Sequence, residues 1–296
     1  MVSVQAQAII DDMRAQMGAP LPPLAEERAG WEAWSRQQRL PEGSLVSGVE
    51  LNGIACEWVE RAESEREMLL LVHGGGYSAG SPLTHRRFAA GLALAGGRRV
   101  LVPEYRLAPE EPYPAGLDDI VAVYAALIED GLAPEEIAFL GDSAGGGLAL
   151  ASLIKLKELG APLPAALVTM CGWMDLTLSA ASLDAHVGFP GVSRAELERA
   201  ADWYLPIGDR RDPLVSPVHA DLSGLPPLLV QAAGNDILLD DSVILAARAR
   251  EAGVDVTLTV TPGMWHGFQT GDCPEARAAV EEAVVFVNNR GPAGAA

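Results

Sequence analysis

Apolar positions recur along the chain in three ways. Near the N-terminus Ile9, Ile10, Met13 and Met17, then Trp31 and Trp34, follow helical spacing. This predicts helical pieces within residues 1–40, broken at 20-PLPP-23. Two tryptophans three apart on a peripheral helix need something to cover. The next run, 49-VELNGIACEWV-59, sets Asn52-Gly53 between two β-rich stretches, a strong hairpin signal. Residues 68-MLLLVH-73 are continuously apolar, as expected of a strand buried on both faces.

Strands and helices then alternate. Strand-like runs are 99-RVLVPEY-105, 136-EIAFLG-141, 166-ALVTMCG-172, 227-PLLVQAAG-234 and 255-DVTLTVT-261. Helix-like runs between them are 83–95, 116–129, 145–159 and 240–252. Residues 274–289 read as a last amphipathic helix, and the tail 291-GPAGAA-296 as frayed. The alternation predicts an α/β protein: a mostly parallel sheet with helices on both faces, opened by an antiparallel hairpin. The chain shows no internal repeat and no Gly/Ser linker, so one domain is expected over 1–296. Residues 175–224 break the rhythm, separating two strands by far more than one crossover helix. A helix at 193-SRAELERAADWYL-205 sits inside this segment. A connection of this length is usually functional, often a lid, and pairs here with the N-terminal helices as a cap.

Composition narrows the function. With 296 residues and 49% of them hydrophobic, a sizeable core is available. Forty acidic against 21 basic residues leave a net charge of −19. Such a surface repels nucleic-acid phosphates and anionic lipid heads, so neither is an expected partner. The three cysteines form no CxxC pair, which argues against a disulfide framework or a zinc ribbon. Cys56 and Cys171 lie in apolar stretches and read as buried reduced thiols. The start MVSVQAQAIIDDMR lacks a basic region before an apolar core, and no apolar run reaches the roughly 18 residues of a membrane span. The expected location is the cytoplasm.

The chemistry centres on 139-FLGDSAGGG-147. It contains G-x-S-x-G as Gly141 to Gly145, after a predicted strand and at the opening of a predicted helix, the context of a nucleophile elbow. Side chains two before and two after Ser143 would clash with neighbouring chain in so tight a turn. A P-loop is the competing reading, but Gly147 stands where its lysine must be. A serine hydroxyl needs a base, and the base an orienting carboxylate. In this chain order the carboxylate and then the histidine follow the serine. Of His73, His85, His186, His219 and His266, only His266 lies past the last strand, in 262-PGMWHGFQ-269. Past the strand 227–234, Asp236 is nearest the strand end. Asp240 and Asp241 read as the cap and first turn of the next helix. The stretch 71-LVHGGGYSAG-80 follows the central apolar strand and leaves backbone N–H groups uncovered for a substrate oxygen. The expected oxyanion donors are the N–H groups of Gly75, Gly76 and Ala144, with His73 ordering the loop.

These motifs, 73-HGGGY-77, 105-YRLAPE-110, 141-GDSAGG-146, 236-DILLD-240 and 266-HGF-268, resemble the bacterial hormone-sensitive-lipase family of α/β-hydrolases, carboxylesterases with a GDSAG elbow. The resemblance implies a mostly parallel eight-stranded sheet flanked by helices, with a helical cap from 1–45 and 175–210. It implies Ser143, Asp236 and His266 as a catalytic triad, Gly75, Gly76 and Ala144 as the oxyanion hole, and a structural role for 105-YRLAPE-110 near the oxyanion loop. It also implies a homodimer through the edge strand near 255–261. The chain departs from the family where Asp236 is followed by Ile237 rather than proline. The stretch GNDILLDDS is closer to monoterpene lactone hydrolases and heroin-type esterases.

The expected activity is hydrolysis of small uncharged short- to medium-chain acyl esters through an acyl-enzyme, with no metal or cofactor. A lactonase would use the same triad, and nothing in the sequence separates the two. Non-catalytic binding relatives, such as plant gibberellin receptors, lose the histidine that this chain keeps. The expected pocket lining is Tyr77, Trp203, Tyr204, Leu205 and Met264, with Trp31 and Trp34 from the cap.

Overall fold

Residues 44–61 form the hairpin that Asn52-Gly53 predicts. Strands β1 (Ser44–Leu51) and β2 (Ile54–Arg61) pair antiparallel from Leu51–Ile54 outward. Asn52 and Gly53 turn the chain with φ of 48° and 81°, the left-handed backbone of a two-residue turn. The computed structural model describes residues 2–64 and 66–291. The remaining strands are β3 (Met68–Val72), β4 (Arg99–Pro103), β5 (Ile137–Asp142), β6 (Ala166–Met170), β7 (Leu228–Ala233) and β8 (Val256–Thr261). They join the hairpin in one eight-stranded sheet of order β1-β2-β4-β3-β5-β6-β7-β8. β2 pairs antiparallel with β4, and every later pairing is parallel. The mostly parallel sheet opened by a hairpin is therefore the architecture found.

Nine helices lie among the described residues: α1 (Val4–Gln16), α2 (Leu24–Gln37), α3 (Pro82–Gly96), α4 (Ala115–Glu129), α5 (Ala144–Glu158), α6 (Ser182–Ala185), α7 (Arg194–Tyr204), α8 (Leu239–Glu251) and α9 (Pro274–Asn288). Alternation along β3 separates the two apolar layers. Met68, Leu70 and Val72 point into the larger cluster, with α4, α5 and α8. Leu69 and Leu71 point into the other, with α3 and α9. Ser81 and Thr84 cap α3 reciprocally, and Pro82 opens its first turn.

The two N-terminal helices attach differently. α1 buries Ala6 and Ile10 against Trp265, Phe268 and Cys273, and Ser3 binds Glu275 through both its N–H and its hydroxyl at 2.7 Å. α2 buries no residue at all. It lies against α3 and is tied down by polar contacts. Arg28 donates to the carbonyls of Ser78 (2.7 Å) and Ala108 (2.9 Å) and pairs with Glu110. Glu27 pairs with Arg199 of α7 at 2.6 Å. The cysteines Cys56, Cys171 and Cys273 are buried free thiols. Among the described residues no helix is long and apolar enough to cross a membrane. The tail read as frayed lies, from residue 292, outside the described residues.

Candidate active site

β5 runs directly into α5, and Ser143 sits at the junction with φ 51° and ψ −125°. A non-glycine residue in this sparsely populated region stores on the order of 1–3 kcal/mol of strain. The surroundings hold it there. Its N–H donates to the Met170 carbonyl at 2.9 Å, and its carbonyl accepts from Gly146 (3.0 Å) and Trp173 (2.9 Å). The flanking glycines are required by close approach. A methyl on Gly141 would sit 2.3 Å from the Gly145 carbonyl oxygen, and one on Gly145 would sit 2.0 Å from that of Val72.

His266 follows β8 and faces the serine. Its Nε2 lies 2.8 Å from Ser143 Oγ and its Nδ1 2.8 Å from Asp236 Oδ2. Asp236 is almost wholly enclosed, and its second oxygen accepts from the Leu238 N–H at 2.9 Å. Burial alone would lower the pKa of His266. The charge of Asp236 and its hydrogen bond outweigh burial and raise it above 6.5. The two neighbouring aspartates do other work. Asp240 accepts from the Ser182 N–H at 2.8 Å, at the start of α6. Asp241 accepts from the N–H groups of Met174 (2.8 Å) and Asp175 (2.9 Å) in the loop beyond β6. Burial pushes its carboxyl up to about 8 against the pull of those two bonds.

The glycine loop 73–80 follows β3. Gly75 and Gly76 take φ of 125° and 60°. Among the described residues no intramolecular backbone acceptor is assigned to either N–H. Ala144 opens α5, so its N–H belongs to the unpaired first turn. Asp142, next to the serine, anchors this loop: its Oδ1 accepts from the Gly74 N–H at 3.0 Å. Asp142 also lies 3.3 Å from His85 Nε2. Burial raises its pKa, but the two imidazoles and the Gly74 N–H together hold it below the usual range. Burial, followed by the neighbouring His85, drives His73 down to about 3, so its ring is neutral. That ring stacks on Tyr105 at 4.2 Å, its Nδ1 is 3.0 Å from the Gly74 carbonyl, and Tyr105 donates to the His73 carbonyl at 2.7 Å. The YRLAPE stretch therefore packs behind the glycine loop. Sequence reading missed Asp142 and His85. The available signal was a carboxylate closing a strand buried along its whole length.

Ser143, His266, Gly74, Gly75 and Gly76 open onto a cavity of about 1120 Å³. Trp31 and Trp34 line it as expected. The other expected lining residues do not. Tyr77 turns inward with φ 58° and stacks on Tyr204 at 3.9 Å, and both rings are buried. Trp203 lies under the Arg199 guanidinium, Leu205 packs on the main core, and Met264 is enclosed with Ala6 and Ile10. These five side chains support the site's walls from behind, because their apolar surface is consumed by one another and by the core. The insertion contributes a contact that the sequence did not reveal: Gly191, at φ 136°, passes so close that a methyl there would lie 3.1 Å from His266 Cβ. Cys171, Asp236 and His266 bring potential ligand atoms within 4.8 Å of one another. A metal there would have to displace the bond between Asp236 and His266, and burial holds the thiol far above its usual range, in its protonated form.

The sheet, the elbow and the facing histidine define an α/β hydrolase of carboxylic esters. Residues 69–270 match the model of the alpha/beta hydrolase fold family, and the chain belongs to that family, in its hormone-sensitive-lipase type. It is 41% identical over 252 residues to an acetyl-hydrolase of Streptomyces hygroscopicus, covering 84% of this chain and 83% of the relative. It is 36% identical over 248 residues to an esterase of Acinetobacter venetianus, covering 82% of each. The crystal structure of an esterase from the bacterial hormone-sensitive lipase family superposes with a TM-score of 0.94 at 37% identity, over 98% of this chain and 99% of that one.

Proposed function

We propose that this chain is a serine carboxylesterase that hydrolyses small uncharged short- to medium-chain acyl esters through an acyl-enzyme. The observation that carries the reading is the pair of 2.8 Å contacts linking Ser143, His266 and Asp236 beside a glycine loop with free N–H groups. Ser143 Oγ attacks the ester carbonyl while His266 Nε2 takes its proton. The tetrahedral oxyanion is stabilised by the N–H groups of Gly75, Gly76 and Ala144. His266 then gives the proton to the leaving alkoxide, and water hydrolyses the acyl-serine with His266 again as base. Asp236 orients the imidazole and stabilises its charged form. In this reading residues 1–45 and 175–210 act as a cap, and β8, one of the sheet's two edges, serves as the dimer surface. The enzyme works in the cytoplasm without a cofactor.

The test is hydrolysis of p-nitrophenyl esters from C2 to C12, and of five- and six-membered lactones, by the wild type and by Ser143→Ala. Ester turnover that the folded variant lacks is the expected result. Turnover retained by the variant overturns the assignment of the nucleophile, and turnover of lactones alone moves the substrate to cyclic esters.

A further inference from the structure

The active-site cavity is larger than the roughly 300–1,000 Å³ of an ordinary ligand pocket, and small acyl groups leave most of it empty. Part of its lining forms a trough to which three helices contribute, with Arg86, Arg87, Arg277 and Glu281 among the charged residues that border it. On α2, Glu27, Gly30, Trp31 and Trp34 recur at helical spacing. On α3, Phe88, Gly91 and Leu94 do the same, and on α9 Ala276 and Val280. α2 and α3 pack against each other along the trough.

Two of these wall positions are glycines in helix interiors. Glycine there is unfavourable relative to alanine. The buried glycines around Ser143 have neighbours that forbid a side chain, but a methyl built at half-buried Gly91, or at exposed Gly30, meets nothing within 4 Å. Neither takes a left-handed backbone. Neither a close contact to an added methyl nor a left-handed backbone requires glycine at these positions, and both line the same cavity. Above it hang Trp31 and Trp34, 41% and 60% exposed, on a helix that buries nothing of its own.

We infer that Gly30 and Gly91 are specificity-determining residues that keep the trough open for an extended apolar chain of the ester, which Trp31 and Trp34 cover when it is bound. This rests on the carboxylesterase reading, since the trough is continuous with Ser143. Either the acyl or the alkoxy side of the ester presents the same hydrocarbon chemistry.

The experiment compares wild type with Gly30→Leu, Gly91→Leu and the double variant. Two series are used: p-nitrophenyl acyl esters from C2 to C12, and n-alkyl butyrates from methyl to decyl. The expected result is a fall of at least about tenfold in the C10-to-C2 ratio of kcat/KM in one series. The series that responds tells whether the trough takes acyl or alkoxy chains. Leucine is the better helix former, so Tm should hold or rise, which separates this result from misfolding. A ratio unchanged in both series, or equal loss at every length, overturns the inference. A second readout needs no turnover: methyl decanoate added to Ser143→Ala should blue-shift tryptophan emission, and Trp31→Phe with Trp34→Phe should abolish that shift. Emission unmoved by the ester counts equally against it. A wild type that turns over no ester of any length removes the carboxylesterase reading and the chain assignment together, whereas short-chain turnover with unmoved ratios removes the chain assignment alone.

Discussion

The region around Ser143 and the arm formed by α2 are built on opposite principles. At the elbow, backbone meets backbone so closely that a single methyl on Gly145 would lie 2.0 Å from the Val72 carbonyl oxygen. The Asp236 carboxylate is enclosed and both of its oxygens have a partner. The arm covers the same cavity yet buries no side chain, and it is tied down by Arg28 and by the Glu27–Arg199 pair. The proposed reacting atoms therefore sit on a scaffold with no slack, while the arm proposed to meet the rest of the substrate buries no side chain of its own and is tied down by a few polar contacts. Substitutions at the first should act on the rate of chemistry, and those at the second on which substrates are taken.

The sharpest break of this contrast is Ser143→Ala. Removing the proposed nucleophile should lower kcat on the order of 10⁶-fold with Tm unchanged, as steady-state kinetics and thermal melting would check. Next is Asp236→Asn, expected to lower kcat by roughly 10⁴-fold because the imidazole loses its orienting carboxylate. The same pair governs pH dependence. In the proposed mechanism His266 must be neutral to act as base, and its pKa is raised above 6.5. The kcat/KM of the wild type should therefore be full well above that value and fall tenfold per unit on acidification below the raised pKa. An acid limb centred below pH 6.5 would contradict the pairing.

Asp142→Ala tests the loop anchor. Without the acceptor for the Gly74 N–H the oxyanion donors lose their position, and kcat should drop about 10²-fold. Asp142→Asn keeps an acceptor and should lose less; equal losses would assign Asp142 a purely packing role. The smallest effect belongs to the arm. Arg28→Leu removes a largely exposed ion pair and two carbonyl contacts, so stability should change by only about 1 kcal/mol. KM for bulky esters should shift more than kcat. A large fall in kcat on acetate would show that the arm is part of the rigid scaffold after all.

Local rules accounted for much of what was found. The apolar runs 68–73 and 136–141 and the Asn52-Gly53 turn appear as the central strands and the hairpin, because burial on both faces and a two-residue turn leave direct marks in composition. The order of Ser143, Asp236 and His266 could be read because each follows a strand, and parallel strands bring their C-terminal ends to one edge. Apart from Trp31 and Trp34, the pocket lining could not be read. Tyr77, Tyr204 and Met264 have the apolar character of lining residues, and only their stacking in three dimensions shows that the core claims them.

The sequence by itself determined the sheet, its helices and the three residues that face one another at its edge, because periodicity, turn chemistry and strand ends are properties of neighbouring residues. Tertiary structure alone decided that Asp142 holds the glycine loop, that Gly191 crests His266, and that Gly30 and Gly91 look into empty space. Those facts depend on contacts between segments far apart in the chain, and on the absence of contacts, which no local pattern records.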